Sequence, residues 1–168
     1  MQQVQKLTMA VEQLEDALAA YFSGRFHSAI VLAGAAEQLF AGYVLKHDMK
    51  PAWSQMRSVI TKIANGITQR DTGAVGTTTE DDIGDLMNRA YNHSKHAGRK
   101  DHLVEMNPRF EAQELIDRAI SNYDALFARL DYDLPELPLA QRFRMESIED
   151  IHFESEAEEV LSPIVGRE

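Results

Sequence analysis

The chain contains no cysteine, which removes disulfides, iron–sulfur clusters, thiol nucleophiles and cysteine-ligated zinc from its chemistry. It also lacks internal repeats and convincing runs of alternating apolar and polar residues, so strands are not expected. The start, "MQQVQKLTMAVEQLED", has neither the basic opening nor the apolar run of a secretory leader. Long hydrophobic stretches are scarce. One, residues 28–45, "SAIVLAGAAEQLFAGYVL", is about long enough to cross a bilayer. Glu37 near its centre, where charge is expensive, and the many Ala and Gly residues argue instead for a buried central helix. The expectation is a soluble, cytoplasmic protein with no membrane contact.

Positive charge is also in short supply. The chain carries −10 with His neutral, but unevenly. Residues 131–168 hold eleven acids and three bases, a net −8, whereas residues 1–130 are close to neutral at −2. The acidity therefore belongs to an extension, and the body remains open to anionic ligands.

What is present is helical periodicity. Val4, Leu7, Val11, Leu14, Leu18 and Phe22 recur every three or four residues and predict a helix from about 2 to 22, stopped by Gly24. A second helix, about 25–46, is apolar on nearly all sides and so is expected at the centre of the fold. After "HDMKPAW", a shorter helix is expected over 53–65, then a loop over 66–78 punctuated by Gly66, Gly73 and Gly76. "TTTEDD" predicts a capped start for a helix over 80–95 or 96, with Ile83, Leu86, Met87, Ala90 and Tyr91 facing inward. "NPRFE" restarts a helix that runs to about Leu130. The fold expected is all-α: an up-and-down helical bundle of four to five helices over residues 1–130, with an acidic C-terminal extension over 131–168.

One stretch is unusually rich in chemistry. "NRAYNHSKHAGRK", residues 88–100, brings Asn88, Arg89, Asn92, His93, Lys95, His96, Arg99 and Lys100 together. On a helix, Arg89, Asn92 or His93, and His96 share a face. A guanidinium, a carboxamide and an imidazole aimed at one spot suit a phosphate, and the imidazole suits proton transfer. The same residues also suit a solvated helix end, where cations complement the dipole. His93 and His96 with Asp101 or His102 have the spacing for a metal, but no clean ligand motif is present. Glu37 is the second odd residue, since a carboxylate in an apolar helix needs a partner. Arg89, Lys95 and His96 are the partners expected. The pair would be either structural or a means of orienting Lys95 or His96 in a site.

"GRFHSAIVLAGAAEQLF", followed on a later helix by Arg89, six residues and His96, resembles the HEPN superfamily. The "NHSKH" spelling is similar to an uncharacterised bacterial branch of it. The resemblance covers roughly residues 8–130. It implies a small α-helical bundle, often a homodimer, with no cofactor or metal. Many members are metal-independent endoribonucleases of toxin and phage-defence systems, and others bind without catalysing. Catalytic members usually carry a polar residue directly after the Arg, and this chain has Ala90.

Two functions follow from the resemblance. In the first, the chain is a non-catalytic binding and dimerisation module for a nucleotide, RNA or protein partner. Glu37, Asn92, His93, Lys95 and Arg99 then form its binding set. In the second, two protomers bring Arg89 and His96 together over an RNA phosphate, His96 moving a proton for 2′-hydroxyl attack and Arg89 stabilising the developing charge. The acidic extension, with Ile148, Ile151 and Phe153 among its acids, is expected to dock on the bundle or across a dimer, masking the basic face or closing an interface.

Overall fold

The computed structural model describes residues 5–95, 103–130 and 132–147, and these are helical with no strand among them. The helices are α1 (Lys6–Phe22), α2 (Phe26–Leu45), α3 (Ala52–Thr72), α4 (Glu80–Lys95) and α5 (Pro108–Asp124). A π-helical turn, Ala125–Arg129, continues α5. The chain divides into two units, residues 1–134 and 135–168.

α2 is the hub of the first unit, packing against α1, α4 and α5. Small residues make this possible. Ala29, Ala33, Gly34 and Ala36 are buried and let neighbouring helices approach, while Ile30, Phe40 and Val44 fill the space between them. α1 contributes Leu14 and Leu18, and α5 contributes Leu115, Ile116 and Ile120. Each such side chain contributes roughly 1.5–3 kcal/mol by leaving water. The burial is not complete, because Val31 and Leu45 of α2 remain exposed.

Local signals set most of the ends. Gly24, at φ 72°, turns the chain from α1 into α2. Thr79 opens α4: its Oγ1 accepts from the Asp82 N–H at 3.2 Å, and Asp82 accepts from the Thr79 N–H at 2.8 Å, a reciprocal cap. The Thr79 hydroxyl, donating to the same carboxylate at 2.7 Å, and then the Thr79 N–H hold the Asp82 carboxyl below its ordinary range. Asn107 accepts from the Phe110 N–H at the start of α5, with Pro108 in the first turn.

α3 corrects the expected pattern. It does not stop at residue 65 but runs to Thr72, so the stretch expected to be a loop over 66–78 is helical for its first half. Gly66 costs a helix about 1 kcal/mol relative to Ala, which is too little to end one. Gly73 ends it, in the left-handed conformation at φ 70°. The returning segment is tied back by Asn65, which donates to the Thr78 carbonyl at 2.9 Å and accepts from the Thr78 N–H at 3.0 Å. A Cβ at Gly76 would overlap Asn65, so glycine is required there. In α4, Ile83, Ala90 and Tyr91 are buried as expected, but Leu86, expected inward, is exposed.

In the second unit a helix covers 138–147, with Leu137, Ala140 and Phe143 buried. Arg142 and Glu146 pair across one turn at 2.8 Å. Ile148, Ile151, Phe153 and the rest of the acidic run lie outside the described residues.

A candidate ligand-binding cleft at Glu37

Glu37 is buried at 4% exposure, and the charge facing it comes from α5 rather than α4. Arg118 and Asn122, each 1% exposed, complete a buried polar set between α2 and α5. Arg89 and Lys95, expected as partners, are engaged elsewhere, and His96 lies outside the described residues. Arg118 and Asn122 were legible in principle: they fall at the third and seventh places after Leu115, inside the apolar stripe of α5.

The electrostatics follow from burial. Loss of water pushes the Glu37 carboxyl above its ordinary range, and the Arg118 guanidinium and the Asn122 amide pull it part of the way back. Burial likewise lowers Arg118, against Glu37, Glu114 and Glu111, which favour its charge. Half-buried Glu114 is raised, first by burial and then by Asp117. Arg118 is thus the counter-charge for a group of carboxylates. An unpaired buried ion would cost several kcal/mol, so this arrangement holds only because both signs are present.

The hydrogen bonding is incomplete. Glu37 Oε1, Arg118 Nε and Nη2, and Asn122 Nδ2 are buried without a hydrogen-bond partner among the described residues. Asn122 favours the charged form of Glu37 by its proximity, yet its Nδ2 makes no bond of good geometry. Its Oδ1 is committed, accepting from the Ala52 N–H at 2.8 Å. That bond caps α3 from outside. Pro51 stands at the N-cap and has no side-chain acceptor, so Asn122 satisfies the first-turn donor instead.

Glu37 opens onto a cleft of about 320 Å³ shared with Gln38, Ala41, Gly42, Leu45, Trp53 and Asn88. A second cleft of about 350 Å³, lined by Asn122, Gln55 and Arg129 among others, lies at the start of α3. The first combines an aromatic ring, two carboxamides, a carboxyl group and an apolar floor. Among these, Gln38 and Asn88 supply donors and acceptors, and Glu37 supplies an acceptor that becomes a donor when protonated. The outer edge is braced by Arg57, which lies over the Trp53 ring at 4.8 Å and pairs with Glu80 at 3.2 Å.

From the polar stretch on α4, it is Asn88 that reaches this cleft; its own Nδ2 donates to the Gly84 carbonyl at 3.0 Å. Arg89, Asn92, His93 and Lys95 are on the exposed side of the helix. Arg89 Nη2 donates to the Glu105 carbonyl at 3.1 Å, and Lys95 Nζ sits 3.6 Å above the Tyr91 ring. His96, Arg99, Lys100, Asp101 and His102 lie outside the described residues, so the geometry of the Arg89–His96 pair and of the spaced metal set does too. Among the described residues no group of three or more metal-ligating side chains comes together.

α2 is long and apolar enough to cross a membrane by length and composition alone, but half of its apolar window is packed inside the protein. No family model, no curated protein and no solved structure matches the chain.

Proposed function

We propose that the chain is a HEPN-like bundle of four to five helices, with an acidic C-terminal extension, that acts in the cytoplasm as a non-catalytic binding and dimerisation module. The ligand class is a nucleotide or a short single-stranded RNA. The observation that carries this reading is the cleft whose wall brings Trp53, Gln38 and Asn88 together beside buried Glu37. A nucleobase is flat, stacks on an indole, and presents both donors and acceptors at its edge. Carboxamides match such edges in pairs, and a carboxylate takes an exocyclic amine. Asn88 on the cleft side of α4 is followed by Arg89 on its exposed side, which places a guanidinium on the same helix for a phosphate. Ala90 directly after Arg89 supports binding over catalysis.

The chain reports on this itself, because Trp53 is its only tryptophan. Titration with mononucleotides and with single-stranded RNA should quench Trp53 fluorescence saturably, and Asn88→Ala should weaken the effect at least several-fold. Unchanged fluorescence to millimolar nucleotide, with no retention of RNA, would overturn the reading. RNA cut in the presence of chelator by wild type but not by His96→Ala would replace it with the ribonuclease reading.

A further inference from the structure

Asn65 and Gly66 stand side by side within α3, and Asn65 is the chain's only asparagine followed by glycine. That dipeptide carries a chemistry of its own. With no side chain on the second residue, the glycine nitrogen reaches the asparagine Cγ with little hindrance. The nitrogen attacks Cγ and a C–N bond forms. The side-chain amide leaves as ammonia, taking the proton of that nitrogen, and a cyclic imide remains. Water then opens the imide at either carbonyl, giving aspartate or its β-linked isomer. The co-reactant is water, and nothing is oxidised or reduced.

The fold closes this route in two ways. Helical dihedrals at Asn65 turn the Gly66 nitrogen away from Cγ, and within α3 the proton on that nitrogen belongs to the helix ladder. The side chain is committed as well. Asn65 Nδ2 donates to the Thr78 carbonyl at 2.9 Å, and its Oδ1 accepts from the Thr78 N–H at 3.0 Å. Gly76 sits so close against it that a Cβ there would overlap. Attack therefore requires α3 to open around residue 65. α3 is built to do so, because it runs for 21 residues with no buried residue. Val59, Ile63 and Ile67, on either side of the dipeptide, are each about half exposed. Elements with few buried contacts open at low cost, independently of the core.

We propose that Asn65–Gly66 is a deamidation site gated by local opening of α3, and that its conversion irreversibly releases the return from α3 to α4. The product has lost the donor. A carboxylate oxygen stands where Nδ2 donated, so an attraction to the Thr78 carbonyl becomes a repulsion. The β-linked isomer also lengthens the backbone by a methylene and breaks the helical register. The other tie between these helices, Arg57 with Glu80 at 3.2 Å, is a partly exposed ion pair and substitutes poorly for the clip. Trp53 of α3 and Asn88 of α4 share the cleft, so release of the return loosens two of its walls. The site itself does not depend on what the cleft binds.

The full chain, incubated at mildly alkaline pH in buffer and in urea and mapped by peptide mass at residue 65, tests both halves. Conversion in buffer should be slower than in the unfolded chain by roughly tenfold or more, the ratio reporting the fraction of time that α3 is open. It should already quicken in urea below the main transition, while α1 and α2 keep their hydrogen-exchange protection. Gly66→Ala should suppress it throughout. A Cβ at that position meets nothing within 4 Å, and alanine favours the helix, so this variant removes the route without disturbing the fold. Converted wild type, separated by its added negative charge, should exchange faster over α3 and Thr78 than unconverted protein. No conversion at 65 in the unfolded chain, equal rates folded and unfolded, or acceleration only through the main transition would overturn the gated site. Converted protein whose α3 exchanges no faster than before would overturn the release.

Discussion

Tyr91 of α4 lies against Gly34 of α2 so closely that a Cβ at position 34 would overlap its ring. The contact fixes α4 on the central helix just where the polar stretch begins, and Lys95 closes over the outer face of the same ring. Gly34→Ala should therefore force the buried tyrosine out of place and cost about 1–3 kcal/mol. In the double variant with Tyr91→Ala the methyl has room, so its loss should be smaller than the sum of the two single losses. Urea unfolding of the two single variants and the double variant measures the coupling. Strictly additive losses would show that the two residues do not compete for one space.

The Glu37–Arg118 pair gives a second expectation. Arg118→Met leaves Glu37 and half-buried Glu114 without their counter-charge, and removing one member of a buried pair costs about 3–5 kcal/mol. Glu37→Gln together with Arg118→Met removes both charges from the helix interface and should lie closer to wild type than Arg118→Met alone. Equal losses in the single and double variants would mean that the two charges do not depend on one another.

pH reads the same pair. The folded Glu37 carboxyl is raised above its ordinary value of 4.5, so between the two values the folded chain keeps a proton that the unfolded chain has released. The contribution of this group to stability is fullest below about pH 4.5 and is lost as pH rises through the folded value. Glu114, raised in the same direction, adds to the decline. Glu37→Gln keeps the shape and removes the titration, so its stability should fall less steeply over that range. Urea midpoints taken from pH 4 to 8 give the comparison, and a slope as steep as wild type would assign the decline to other groups.

Asn122 links α5 to α3, and its loss should be felt at a distance. Asn122→Ala removes the acceptor for the Ala52 N–H, an N-terminal capping bond worth about 1 kcal/mol. Because α3 has no buried residue of its own, the effect should concentrate there. Hydrogen exchange should rise in the first turns of α3 while α1 and α2 keep their protection. A uniform rise across all helices would show global destabilisation instead.

The legible parts of this molecule were those written locally. Thr79 with Asp82, and Asn107 with Pro108, announce helix starts within four residues, and α2 stands out because Ala, Gly and large apolar residues fall on nearly every side of it. Glu37 was conspicuous for the same reason. Its partner was not, because Arg118 hides in an otherwise ordinary stripe and its burial depends on how α5 meets α2. The end of α3 was misplaced because Gly66 resembles a stop, whereas Gly73, with Asn65 binding Thr78 just behind it, is the actual one. The inward face of α4 was one residue too wide at Leu86, since the helix touches its neighbours along a narrow line through Ile83, Ala90 and Tyr91.

The exposed cations of α4 supply the last prediction. Arg89 is held by the Glu105 carbonyl and Lys95 by the Tyr91 ring, so both are positioned before any ligand arrives. Pre-positioned cations lose little freedom on meeting a phosphate chain, and each phosphate contact contributes to the salt dependence of binding. If the module binds single-stranded RNA, Arg89→Ala should weaken binding about equally across RNA sequences and reduce the slope of log affinity against log salt by roughly 0.7. Asn88→Ala, which acts in the cleft, should instead change the preference among bases and leave the salt slope in place. Fluorescence or filter binding at several salt concentrations separates the two. Were Arg89→Ala to alter base preference while leaving the slope intact, the division into a phosphate-holding outer face and a base-holding cleft would be wrong.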